Sequence, residues 1–176
     1  MTSSTSWDAL KKRLDTMPRP TQALRICSDP DVRDRFQAAK KAATSAENYL
    51  KSLSKEADKD ALAMVRKQLK DAQDELKAAQ SEYDENTVVL TFQALERGEL
   101  KDLIAKHPPL EEEEAKGAEF HFDTFAPALI SAASLDGMPL EYATHAMTAW
   151  PLSDWQDLWG AAWSVQQRPR TDLGKG

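Results

Sequence analysis

Residues 32–53, VRDRFQAAKKAATSAENYLKSL, and residues 62–83, LAMVRKQLKDAQDELKAAQSEY, decide how this chain folds. In the first stretch Val32, Phe36, Ala39, Ala43, Ala46, Leu50 and Leu53 step by 4, 3, 4, 3, 4 and 3 residues. In the second, Leu62, Val65, Leu69, Ala72, Leu76, Ala79 and Tyr83 step by 3, 4, 3, 4, 3 and 4. Alternating threes and fours keep one apolar seam on a supercoiled helix. Two seams of equal length, separated by the polar break Ser54 to Asp60, bury each other most economically as an antiparallel hairpin roughly 35 Å long. Asp58 or Asp60 is the expected cap of the second helix. Alanine takes three seam positions in the first helix and two in the second, so the helices approach closely while each layer buries little area. Alone, such a hairpin is marginal.

Working outward, Thr21-Gln-Ala-Leu-Arg-Ile-Cys27 precedes the hairpin and Thr87-Val-Val-Leu-Thr-Phe-Gln93 follows it. Both read as strands, the second rich in β-branched residues with Val88, Leu90 and Phe92 on one face. The hairpin returns the chain to its starting point, so the two strands can pair. Asp29-Pro30 stops the first strand and starts a helix. Further upstream, Trp7, Leu10 and Leu14 suggest a short amphipathic helix that ends before Pro18.

Downstream, Ala94 to Lys106 reads as a helix with Leu100, Leu103 and Ile104 inward, closed by His107-Pro-Pro109. Leu110 to Glu119, with Glu111 to Glu114, reads as a solvated, mobile acidic linker. Asp123 or Thr124 then caps a helix carrying Phe125, Leu129, Ile130 and Ala133, which Asp136-Gly137 ends. Pro139 opens another helix with Leu140, Tyr142, Ala143, Ala146 and Met147 inward. After Pro151, Ser153 is the expected cap of a last helix on which Trp155, Trp159 and Trp163 repeat every four residues beside Leu158, Ala162 and Val165. Such a stripe is what a core helix shows. Three indoles on one short helix also exceed what a small helical cluster comfortably hides, so Trp155, Trp159 and Trp163 are the candidate partner-binding residues.

The expected fold is therefore mainly α: an antiparallel helical hairpin inserted between two short β-strands, followed by a small C-terminal helical bundle. The expected division is an N-terminal helix and first strand at 1–30, a helical hairpin arm at 31–86, a strand with an acidic helical domain at 87–166, and a disordered tail at 167–176.

Charge narrows the partners. The 176 residues carry 23 basic and 29 acidic side chains, a net −6. Residues 1–30 are net +2, 31–86 net −1 and 87–176 net −7; between His107 and Gln166 the only basic side chain is Lys116, against ten carboxylates. A phosphate backbone is repelled by that surface, which argues against nucleic acid and against an anionic membrane. Lys40-Lys41 and Arg66-Lys67 read as the solvated flanks of exposed helices. One cysteine, Cys27, allows no intramolecular disulfide and fits a reducing compartment. No apolar segment follows the first residues and no long apolar run exists, so a soluble cytoplasmic protein is expected.

Catalytic chemistry finds no foothold. His107, His121 and His145 form no H-x-x-x-H or H-E-x-x-H spacing, and phosphate-cradling or nucleophile-elbow glycine motifs are missing from a chain with six glycines. No catalytic, cofactor or metal residue is nominated, and an enzyme is not expected.

Four segments carry a resemblance: Val88-Val-Leu-Thr-Phe-Gln-Ala-Leu95; Leu100-Lys-Asp-Leu-Ile-Ala-Lys-His-Pro-Pro109; after the acidic spacer, Asp123-Thr-Phe-Ala-Pro-Ala-Leu-Ile-Ser-Ala-Ala133; and Asp154-Trp-Gln-Asp-Leu-Trp-Gly-Ala-Ala-Trp163. Together they resemble the tail assembly chaperones of long-tailed (siphovirus-type) phages and prophages of actinobacteria. The likeness runs from residue 88 to 166, and the Arg25-Ile-Cys27 strand with its hairpin is similar in plan. The resemblance implies a protein of the host cytoplasm, made during virion morphogenesis and absent from the finished particle. It implies that the chain keeps the hydrophobic tape measure protein soluble and helps to recruit tail tube protein, with no cofactor and no catalytic residue. It also implies a longer form made by programmed ribosomal frameshifting, for which Gly174-Lys-Gly176 offers a site if encoded through the slippery run GGGAAAG. The alternative is a structural adaptor retained in a phage particle, its hairpin an oligomerisation element; a homo-oligomer is left open.

Overall fold

The computed structural model describes residues 6–53 and 58–170. Among these the protein is mainly helical, with two antiparallel strands. The first half runs α1 (Trp7–Asp15), β1 (Thr21–Cys27), α2 (Pro30–Ser52), α3 (Lys59–Glu85) and β2 (Thr87–Gln93). The second runs α4 (Arg97–Ala105), α5 (Glu111–Glu114), α6 (Phe122–Ala133), α7 (Leu140–Ala149) and α8 (Leu152–Ser164), closed by a 3₁₀ turn at Val165–Gln167. The chain divides into two compact units, an arm of residues 25–89 and a body of residues 1–24 with 90–176.

In the arm, Pro30 occupies the start of α2, where its missing N–H costs nothing, and the Asp29 carboxylate accepts from the amides of Asp31 at 2.9 Å and Val32 at 3.3 Å. Every seam residue of α2 and α3 is buried or half-buried, while neighbours such as Tyr49 and Met64 are exposed. The helices run antiparallel: Phe36 stacks on Tyr83 with centroids 4.5 Å apart, and Arg35 donates to Glu75 at 3.0 Å and Glu82 at 2.7 Å. Those two glutamates raise the Arg35 pKa, the Glu75 hydrogen bond most, but the pair is solvent-exposed and contributes little to stability. Burial is graded. Val32, Phe36, Ala39, Ala79 and Tyr83 form a closed cluster, whereas Leu50, Leu53 and Leu62 are only half-buried. Asp58 holds the cap position of α3 without a side-chain cap bond, Asp60 lies in the first turn, and residues 54–57 of the polar break fall outside the described residues.

The strands pair in register, with the Ser28 amide donating to the Asn86 carbonyl and the Ala94 amide to the Pro20 carbonyl, both at 2.9 Å. The alternation in β2 is incomplete. Phe92 is fully buried and Leu90 half-buried, but Val88 is 59% exposed because no core lies over that end of the strand.

The body gathers its core from β2 and the later helices. Phe92, Ile130, Met138, Ala143, Ala146, Trp155 and Leu158 belong to one buried cluster. α6 is its centre, with Phe125, Ala126, Pro127, Leu129, Ile130 and Ala133 all buried. After α6 the chain folds back on β2: the Leu135 amide donates to the Thr91 carbonyl at 2.8 Å and the Asp136 carboxylate accepts from the Thr91 amide at 2.6 Å.

Several expectations need correction. α4 begins at Arg97, not Ala94, because the Ala94 amide is taken by Pro20 and the Leu95 amide by the Gln166 side chain at 2.8 Å, which holds this stretch extended. The acidic stretch is a folded turn rather than a mobile linker: Glu113 accepts from the Leu110 amide at 2.8 Å, and Gly117 at φ +84° reverses the chain. α6 starts at Phe122 behind His121, so neither Asp123 nor Thr124 is the cap. Leu140 and Tyr142 point outward at 48% and 47% exposure, leaving Ala143, Ala146 and the half-buried Met147 to face the core. Pro151, not Ser153, precedes α8. The tail expected to be disordered from 167 is held as far as Arg170. The Arg168 guanidinium donates to the Thr21 carbonyl at 2.8 Å and Arg170 to the Met17 carbonyl at 3.3 Å. Gly174-Lys-Gly176 lies outside the described residues.

Candidate functional site

The three indoles of α8 fare differently. Trp155 lies in the core at 6% exposure and offers no surface. Trp159 and Trp163 are half-buried and stack on each other, centroids 5.4 Å apart and nearly parallel. They are covered by aromatics from outside the helix: Phe120 lies 5.7 Å from Trp163, and Phe122 meets Trp159 edge-on at 5.1 Å. Phe125, fully buried, touches both at 6.1 Å. The phenylalanines flanking His121 therefore absorb much of the area that the stripe exposes in isolation. Of the stripe, Trp159 and Trp163 remain partly exposed.

A second apolar surface borders α6 on the side away from Phe125, Leu129 and Ile130, with the buried Pro127 among its lining. α4, α6 and α7 frame an open groove of about 520 Å³ whose lining includes Leu103, His107, Pro127, Ala128, Ser131, Ala132, Leu140 and Thr144. Ala128, Ser131 and Ala132 are small, so the α6 backbone is approachable there, and Leu140 from α7 supplies an exposed apolar wall. Pro127 has no N–H to give the Asp123 carbonyl four residues earlier, and both residues line the groove. The floor thus offers apolar contact. The surrounding body is acidic, which keeps an exposed apolar surface soluble. Sequence reading misses this site because Leu140 is given to the core; the small residues Ala128, Ser131 and Ala132 at helical spacing beside Pro127 are its only trace.

Polar chemistry is sparse. The Glu113 carboxyl sits 2.9 Å from His121 Nδ1, and its pKa lies below the ordinary 4.5, first because the Leu110 amide donates to it and then because His121 does. His107 lies edge-on to Phe125 at 6.2 Å, and Cys27 donates its thiol to the Asp29 carbonyl at 3.2 Å. Among the described residues no three His, Cys, Asp or Glu side chains converge as a metal site, and no helix is long and apolar enough to cross a membrane.

Compared with family models, with curated proteins and with solved structures, the chain matches none of them. The open, mostly apolar α4–α6–α7 groove is shaped for an apolar segment.

Proposed function

We propose that this protein is a tail assembly chaperone of a long-tailed phage or prophage, which binds the tape measure protein in the host cytoplasm and keeps it soluble while tail tube protein is recruited. The observation that carries the reading is the open apolar groove between α4, α6 and α7 in an acidic body. A helical client presenting apolar residues at i, i+3, i+4 and i+7 lays that face into such a groove, and the body's carboxylates hold the complex in solution. The residues that resemble the family, from 88 to 166, include most of the groove's walls. The arm is then a spacer or second contact, and Trp159 and Trp163 form a subsidiary edge.

The test is co-expression with the neighbouring tape measure protein. Soluble client is expected to rise several-fold with this chain and to return to baseline with Leu140→Glu combined with Ala132→Glu, both at exposed positions. Trp155→Ala is expected to destabilise the body by about 3–5 kcal/mol rather than weaken the complex selectively. A client equally insoluble with and without the chain sinks the reading. Finding the chain in purified virions by mass spectrometry replaces it with a structural adaptor.

A further inference from the structure

α1 is amphipathic, yet none of its residues is buried. Trp7, Leu10 and Leu14 fall on one helical face, Met17 continues it, and all four are exposed, Trp7 at 67%. Lys11 and Arg13 flank this stripe at helical spacing. The stripe runs into a cleft of about 480 Å³ whose lining includes Leu14 and Met17 together with Arg19, Arg97, Arg168 and Arg170. It shares no residue with the α4–α6–α7 groove.

Arg19, Arg168 and Arg170 are held by hydrogen bonds, and the arginines of the cleft are incompletely neutralised. Arg19 pairs with Glu99 at 3.2 Å. Arg168 and Arg170 donate only to neutral oxygens, the Thr21 and Met17 carbonyls and the Gln22 side chain, so their positive charge meets no carboxylate among the described residues. Arg97 has no hydrogen-bond or ion-pair partner among the described residues. A guanidinium carries five N–H donors in a planar fork, and each of these keeps donors in reserve. The carboxylates on the lining are Asp15 and Glu96. In a body whose C-terminal part is net −7, a cationic cleft continuous with a bare apolar helix face is the reverse of its surroundings.

We propose that α1 and this cleft form a docking site for an acidic amphipathic segment of a partner protein, its apolar side chains covering Trp7, Leu10, Leu14 and Met17 and its carboxylates pairing with Arg97, Arg168 and Arg170. A carboxylate matches the guanidinium fork in a bidentate way, and an apolar stripe rimmed by arginine fits a helix with leucines on one face and glutamates beside them. Nucleic acid fits less well, because the exposed stripe of Trp7, Leu10, Leu14 and Met17 gives a phosphate backbone nothing to bond. A lipid surface is opposed by the acidity of the rest of the body.

The test uses the full chain and a fluorescein-labelled peptide with leucines at i, i+3, i+4, i+7 and i+8 and glutamates at most other positions, followed by anisotropy. The glutamate peptide is expected to bind at least about tenfold more tightly than the same peptide with lysines in place of the glutamates, a difference of about 1.4 kcal/mol. Arg97→Glu and the pair Leu10→Ser with Leu14→Ser are each expected to weaken binding about tenfold with unchanged far-UV circular dichroism, and Arg97→Lys to retain most of it. Equal binding of the two peptides, or indifference to Arg97→Glu, overturns the proposal. So does tighter, Arg97-dependent binding of single-stranded DNA or of phosphatidylglycerol vesicles, or a self-associated form in sedimentation that Arg97→Glu dissociates.

Discussion

The arm and the body solve the same problem, burying apolar side chains, with opposite means. The arm closes through two local seams whose members are spaced three and four apart, and its buried set is small: Val32, Phe36, Ala39, Ala43, Val65, Ala79 and Tyr83. The body closes through residues far apart in the chain, with Phe92 from a strand, Ile130 from α6, Ala146 from α7 and Leu158 from α8 in one cluster. Periodicity alone therefore identifies the arm's interior, while the body's depends on which helices meet. The comparison also explains why the candidate sites fall in the body. A hairpin that matches its own two seams leaves only scattered apolar side chains such as Tyr49 and Met64 exposed, whereas a cluster of short helices crossing one another leaves grooves at their edges.

The largest expected effect pits one large core side chain of each unit against the other. Leu158→Ala, at 0% exposure, is expected to cost about 3–5 kcal/mol, and Phe36→Ala, at 9%, about 3 kcal/mol. All five tryptophans belong to the body, so indole fluorescence reports that unit, while far-UV circular dichroism follows both. In urea, Leu158→Ala should lower the fluorescence midpoint strongly. Phe36→Ala should act first on the helical signal. Identical shifts of both signals in both variants would show that the two units unfold as one.

A smaller effect is expected at the junction of β1 with the arm. Asp29→Ala removes the acceptor for the Asp31 and Val32 amides and should cost about 1 kcal/mol, read as an earlier loss of helical signal, whereas Asp29→Ser should recover most of it. Equal losses for both variants would place the role of Asp29 in its charge rather than its cap bond.

The smallest concerns the acidic turn. Since the folded-state pKa of Glu113 is lowered, its contribution is fully present above the ordinary 4.5 and is lost as pH falls through the depressed value. Glu113→Gln should lower the stability of the body slightly at neutral pH, where that contribution is fully present, and change little in acid, so that the acid limb flattens. An unchanged acid limb would mean that the Leu110 and His121 contacts are not maintained in solution.

Much of the architecture is legible in particular residues. Val32 to Leu53 and Leu62 to Tyr83 specify their own packing because a helix brings every third and fourth residue to one face, whatever else the chain does. Asp29-Pro30 marks the start of α2 for an equally local reason. The errors share a cause in tertiary contact. Ala94 and Leu95 are kept out of α4 by amide bonds to Pro20 and Gln166. Glu113 turns a charge run into structure through Leu110 and His121. Trp159 and Trp163, open on an isolated helix, are roofed by Phe120 and Phe122.

What the sequence by itself determined is thus the class of fold, the seams of the arm, the two pairing strands and the lopsided charge, all set by neighbours along the chain. Only the tertiary structure decided which faces stay bare. It closed most of the tryptophan stripe, opened a groove on the outer side of α6, and drew Arg19, Arg97, Arg168 and Arg170 around one cleft. Exposure belongs to the packed assembly of helices, because a side chain is covered or bare according to what another segment brings against it, and spacing within one helix carries no record of that.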